Sequence, residues 1–255
     1  MAVRAHPGRL DREALLEHLR EERREADLLG EIREAMFGAQ DGVTSILAVV
    51  STVATATGQT YAVLVSGIAA TLAEVISMAA GEYMSSKSQR EIFDAQIATE
   101  RREVEEHPEE AEAEVALLLE REGLSEEAAR RAVALLATSP TVLLKTMVEK
   151  ELGLTLEHGA SPLQGAVILA VTFFAAALVP MGPFFFLPVG IALPVAVALS
   201  AVVMFALGVL KSRFTGKGPI RSGLQIVLLV AAAAGGGYVF GSLLPRFLGV
   251  AGFTP

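Results

Sequence analysis

The chain has 255 residues, a formal net charge of −8, an apolar fraction of 52% with mean hydropathy +0.49, and no cysteine. Without cysteine there are no disulfides, no thiolate metal sites and no Cys nucleophile. The acidic balance disfavours nucleic acid and anionic surfaces as partners and favours cations.

Residues 1–34 are charged throughout and lack the apolar core of a signal peptide. Residues 8–34 read as an amphipathic cytoplasmic helix, with Leu10, Leu16, Leu19, Leu28, Leu29 and Ile32 among mixed charges. Such a helix lies along a membrane surface or packs on a cytoplasmic domain.

The next segment, 35–84, carries only Asp41, Glu74 and Glu82 as charges, while 159–210 and 222–245 carry none. About 20 apolar residues of helix cross a bilayer, and in lipid the backbone must satisfy its own hydrogen bonds. Five helical spans are therefore predicted, at 37–57, 62–84, 163–182, 187–210 and 222–244. With no Trp and three Tyr, the aromatic belts are thin.

The acidity belongs to the segment between the second and third spans. From Lys87 to His158 there are 17 Asp/Glu and 9 Lys/Arg, and the rest of the chain is balanced. This insert reads as helical. Residues 85–106 continue the second span, and Pro108 opens a helix running to about Glu122. Gly123 stops it, and Ser125 caps the next. Ser139-Pro140 starts a last helix to about Leu152.

Lys211, Arg213, Lys217 and Arg221 fill the connector 211–221, whereas the connectors 58–61 and 183–186 are uncharged. Basic loops stay in the cytoplasm. Five spans put the N-terminus, the insert and the basic connector on that side together, and the C-terminus on the other. The organisation read from this is 1–34, a cytoplasmic helix; 35–86, two spans; 87–160, an acidic cytoplasmic domain; 161–246, three spans; and 247–255, a short non-cytoplasmic tail.

Glu74 is the sharpest chemical signal. A carboxylate inside an apolar span costs several kcal/mol unless it is paired, protonated or wetted. A protonated acid bonded to a neighbouring helix is the structural alternative to a cation or proton site. Met78 and Glu82 follow at i+4 and i+8 on the same broad face. Thioether plus carboxylate suits a borderline transition metal, although Met alone is more often packing filler. Asp41 reads equally as an interfacial acid or a path residue. The pairs Gly38/Gly42 and Gly237/Gly241 would let helices approach closely.

In the insert, Glu100, Glu103, Glu106, Glu110 and Glu114 recur at helical spacing. A solvated face is the ordinary reading of a charge run, but these acids outnumber the bases available for i,i+4 pairing. Carboxylates on adjacent helices also build metal sites. No Glu-x-x-His occurs, which argues against a di-iron oxidase. His107 and His158 read as surface residues. No nucleotide loop, nucleophile elbow or zinc-protease motif is present, so the chain is not read as an enzyme.

The segments Arg33-Glu-Ala-Met-Phe-Gly-Ala-Gln-Asp-Gly-Val-Thr-Ser45, Ile76-Ser-Met-Ala-Ala-Gly-Glu-Tyr-Met-Ser-Ser-Lys-Ser-Gln89, Glu151-Leu-Gly-Leu154 and Pro180-Met-Gly-Pro183 occur in an order and at distances that resemble the vacuolar iron transporter family. The resemblance runs from about Glu31 to Leu244. It implies a homodimer that exchanges Fe²⁺ for protons along a path between subunits lined by Asp41 and Met78. It further implies a cytoplasmic metal-binding domain using Glu100, Glu103, Glu114, Met147 and Glu151. Plant members have an intramembrane Glu where this chain has Ala70, and here the acid is Glu74, one turn later. One family Glu falls on Ala111, with Glu110 and Glu112 beside it, and one family Met falls on Val148.

The expectation is thus an all-α, multi-pass protein with its N-terminus in the cytoplasm, in a bacterial inner membrane or a eukaryotic organelle membrane. It would export Fe²⁺, with Mn²⁺ as a second cargo, in exchange for protons, with Asp41, Glu74, Met78 and Glu82 on the path and no permanent cofactor. Its partners would be lipid, the metal ion, protons and a second copy. The rival is a membrane-anchored iron-binding or sensing protein without transport, against which Glu74 argues, because an anchor needs no buried acid.

Overall fold

The computed structural model describes residues 12–153 and 161–248. Residues 8–11 of the expected first helix, Leu154, His158 and most of the 247–255 tail lie outside the described residues. All regular structure described is helical: α1 (Arg12–Thr57), α2 (Thr60–Glu106), α3 (Pro108–Arg121), α4 (Glu126–Leu136), α5 (Pro140–Glu151), α6 (Pro162–Met181), a 3₁₀ turn (Gly182–Phe185), α7 (Val189–Thr215) and α8 (Pro219–Leu248). Five of these, α1, α2, α6 with its 3₁₀ turn, α7 and α8, are long and apolar enough to cross a membrane.

The N-terminal region departs from the sequence expectation. It is no separate surface helix. From Arg12 it runs without a break into the first span. Nothing between them stops a helix: Gly30 is an isolated glycine with open space around it, and there is no proline in the segment. Leu15, Leu16, Leu19, Leu28 and Leu29 of this extension are exposed.

Two compact units result, one of Met1–Glu82 with Leu163–Pro255 and one of Tyr83–Pro162. In the first, Val43, Ile46, Leu47 and Val50 of α1 are fully buried, as are Phe173 of α6, Ala196 and Met204 of α7 and, almost fully, Val230 of α8. Lipid is as apolar as leucine, so close packing rather than water exclusion holds such helices together. Glycines supply that closeness. A Cβ at Gly42 would stand 2.5 Å from the Phe173 carbonyl oxygen, so α1 lies directly on α6 there. A Cβ at Gly241 would stand 2.4 Å from the Thr52 carbonyl oxygen, bringing α8 onto α1. Both glycine pairs read from the sequence therefore mark helix contacts within one chain.

The second unit packs Ile97 and Val104 of α2 against Ala111 and Val115 of α3, Val133 of α4 and Leu143, Met147 and Val148 of α5. Here water is excluded, and each such side chain contributes about 1.5–3 kcal/mol on full burial. The expected punctuation holds at most points. Gly123 takes φ 112, which a residue with a Cβ resists, after the helix ending at Arg121. Ser125 Oγ accepts a hydrogen bond from the Ala128 N–H at 3.3 Å. Ser139 sits at the N-cap of α5 but its side chain makes no capping bond; its carbonyl accepts from Val142 and Leu143 instead.

Candidate functional site

The first constellation lies within the span unit. Asp41 sits on α1 one residue before Gly42, where α1 presses on α6, and its Oδ1 accepts a hydrogen bond from Ser45 Oγ at 3.0 Å. Glu74 of α2 is half-buried, as is Asp41 of α1. Carboxyls held among apolar helices favour a proton or a bound cation. Met78, a turn beyond Glu74, is half-buried and packs on the apolar core. Ala70 packs on the same core, so replacing an acid there by Ala removes a polar group without exposing one.

Glu82 ends this stripe. A Cβ at Gly165, near the start of α6, would be 3.7 Å from Glu82 Oε1 and 4.0 Å from Glu34 Cγ. Glu34 is also paired with Arg33 at 2.5 Å, and Glu31 accepts from Gln164 Nε2 at 2.5 Å. Glu31, Glu34 and Glu82 thus surround the first turn of α6. Sequence reading passed over Glu31 and Glu34 because they resemble the solvated charges preceding them; only the partner helix makes them part of a cluster.

The second constellation lies in the insert unit. Glu100 is 8% exposed, and its Oε2 has no hydrogen-bond partner among the described residues. Burial raises its carboxyl above the ordinary carboxylate range, and the charges of Glu151, Glu103 and Glu114 raise it further. Burial likewise raises Glu114, with Glu103 adding its charge and a side-chain hydrogen bond, and Glu110 adding charge. Burial and then Glu114 raise Glu151. The fold therefore gathers Glu100 and Glu103 of α2, Glu114 of α3 and Glu151 of α5 into one mutually repelling set. Met147 is wholly buried in the core of the same unit.

Other expected ligands stand apart. Glu110 is exposed and reaches the set only through its charge on Glu114. Glu112 faces a different groove, which it lines with Glu109, Glu120 and Arg130. Among the described residues no three His, Asp or Glu side chains form a ready ligand cage for a metal ion. Beside Glu114 and Glu151, the Lys150 ammonium donates to Glu122 Oε1 at 2.8 Å and Oε2 at 2.7 Å, tying α5 to the end of α3.

Comparison with known proteins shows the family. The profile of the VIT family matches residues 32–242. The vacuolar iron transporter 1 of Eucalyptus grandis is 32% identical over 231 residues, covering 90% of this chain and 92% of its own. That of Tulipa gesneriana is 30% identical over 210 residues, 81% and 84% of the two chains. The Arabidopsis thaliana protein of the same name is 30% identical over 226 residues, 88% and 89%.

Proposed function

The chain belongs to the VIT family, and from that premise we propose that it moves Fe²⁺ out of the cytoplasm in exchange for protons. It is a multi-pass membrane protein and, with its family, a transporter rather than an enzyme. The observation that carries the reading is Glu74, half-buried in an apolar helix bundle that also holds Asp41. Two acids held there are costly unless a cation or proton compensates them, and exchange of one for the other is antiport.

In this reading Glu74 carries a proton when no metal is bound. An arriving Fe²⁺ displaces that proton and is held by Asp41, Glu74 and the Met78 thioether, a mixed hard and soft set suited to a borderline metal. Mn²⁺ meets the carboxylates equally and is a second cargo. After the metal leaves on the far side, Glu74 takes a proton there. Glu82, with Glu34 and Glu31, concentrates cations at the first turn of α6.

The insert is the collecting domain. Glu100, Glu103, Glu114 and Glu151 repel one another in the metal-free state, and the unpartnered Glu100 Oε2 is a buried acceptor awaiting a cation. Binding there competes with protons for the same oxygens, so it strengthens with pH. The homodimer of this reading would use α2, the least buried of the five candidate spans, where Val65, Ile68, Leu72 and Ile76 are exposed.

The experiment is metal flux into proteoliposomes with and without an imposed pH gradient. Gradient-driven Fe²⁺ flux in the wild type, abolished in Glu74→Gln, is expected. Stoichiometric iron binding with no flux under any gradient would return the protein to an iron-binding membrane anchor.

A further inference from the structure

The α2 stripe that bears Glu74 and Met78 does not begin at Glu74. Counting back toward Thr60, Thr71 and Gly67 lie on it too, at spacings of three and four. Thr71 is 1% exposed, and its hydroxyl donates to the Gly67 carbonyl at 2.7 Å. Met181, at the end of α6 and 2% exposed, turns its sulfur onto this stripe. Its Sδ lies 4.0 Å from Thr71 Oγ1. A Cβ on residue 67 would stand 2.8 Å from that Sδ, so the sulfur occupies the space left by the missing side chain of Gly67.

Leucine would fill such a notch as well as methionine does. What leucine lacks is a donor atom, and here the donor atom faces the buried hydroxyl of the polar stripe. Just before Met181, Pro180 lies inside α6 and has no N–H to give the Ala176 carbonyl a turn earlier. Ala176 in turn lies against Gly42, beside Asp41. Met78, Glu74 and Thr71 follow one another along α2, and the Met181 sulfur lies at the level of Thr71 and Gly67.

We propose that Met181, with Thr71, is a further metal-contacting station on the path, beyond Glu74 toward the Thr60 end of α2. The inference rests on the transport reading given above. The station receives a borderline or soft divalent cation from the Glu74–Met78 level. A thioether and a hydroxyl are both weak, neutral ligands. They retain Fe²⁺ better than a harder ion such as Mg²⁺, yet release it, as a conducting site must. Nothing covalent changes, and proton exchange stays at Glu74.

The test is flux through the full-length protein in proteoliposomes, with Cd²⁺ as the soft probe and Mn²⁺ as the harder one. Met181→Leu conserves volume and should assemble normally, which size-exclusion chromatography verifies. Its Cd²⁺:Mn²⁺ flux ratio should fall by about tenfold, equivalent to about 1.4 kcal/mol of lost soft-metal preference. Thr71→Val, which leaves Met181 in place, should slow both ions and leave their ratio within about twofold of wild type. Wild-type rates and ratio in Met181→Leu would make Met181 a packing residue and overturn the inference. Should Met181→Leu misassemble, Thr71→Val decides alone, and wild-type flux of both ions in it counts against the station. Failure of the transport reading is separately visible, since the wild type would then move neither ion.

Discussion

Glu100 sets how the insert responds to pH. In the folded insert Glu100, Glu114 and Glu151 titrate above the ordinary carboxylate range, Glu100 and Glu114 by burial and then by their neighbours' charges, Glu151 by burial and Glu114. Unfolded, they return to that range. The folded form thus binds more protons in the interval between the two sets of values. Its stability is complete below the ordinary range and declines as pH rises through the raised values. Protection factors of α3 and α5 in the metal-free protein, exchange being corrected for the intrinsic rate at each pH, should accordingly be larger at about pH 5 than at about pH 7.5. Divalent metal should restore the protection at the higher pH, and Glu100→Gln should flatten the pH dependence while weakening metal binding. Equal protection at both pH values in the wild type would mean that the set is solvated and not mutually repelling. At the same scale, Glu74→Gln should leave assembly intact and abolish gradient-driven flux. If its flux still follows the gradient, coupling belongs to Asp41 or to the insert. Glu74 was legible in the sequence because a single charge in a long uncharged run has no ordinary explanation. Glu31 and Glu34 were not, because their meaning depends on the first turn of α6.

Among the elements, the helix ends and helix crossings divide cleanly into those with a side-chain cause and those without. Ser125 caps α4 with its own oxygen, whereas Ser139 at the start of α5 makes no such bond. Ser125→Ala should cost the insert about 1 kcal/mol, and Ser139→Ala only a few tenths. Equal losses in the two, read from denaturant midpoints of hydrogen exchange, would contradict the capping assignment. The crossings give a second contrast. Gly42→Ala and Gly241→Ala each push a Cβ against backbone oxygen, at 2.5 and 2.4 Å, which cannot yield as a flexible side chain can. Each should lower stability in detergent by about 1–3 kcal/mol. Gly236→Ala meets nothing within 4 Å and should be neutral or stabilising by roughly 0.5–1 kcal/mol. Thermal unfolding followed by size-exclusion chromatography ranks the three. The glycine pairs were visible as spacing, but spacing alone does not say whether the partner is a second copy or another part of the chain.

For the whole molecule, orientation and assembly are the open quantities. The basic connector 211–221 predicts that a reporter inserted near Gly123 reads as cytoplasmic and one fused after Thr254 as non-cytoplasmic. Both on one side would reject five crossings. Assembly is testable because the chain has no cysteine of its own. Leu72 is 51% exposed on the apolar row of α2, and Leu178 is 46% exposed on α6. In native membranes Leu72→Cys should cross-link two copies under mild oxidation and Leu178→Cys should not. The reverse pattern would move the dimer interface off α2 and with it the proposal of a path beside the subunit boundary.

The all-helical class, the five helices long and apolar enough to cross a membrane, the helical insert and the lone acid within an apolar run were legible in the sequence alone, for a physical reason. Lipid tolerates neither unpaired backbone nor stray charge, so span boundaries and exceptions are written directly in the order of apolar and charged residues. The same holds for Pro108, Gly123 and Ser125, whose effects are local to their own turns. The tertiary structure decided what depends on partners distant in sequence. It joined the N-terminal segment to the first span and put Gly42 against Phe173 and Gly241 against Thr52. It drew Glu100, Glu103, Glu114 and Glu151 together while turning Glu112 to another groove, and laid the Met181 sulfur in the notch at Gly67. Helical spacing states which residues share a face; only the packing of one helix on another states what that face meets.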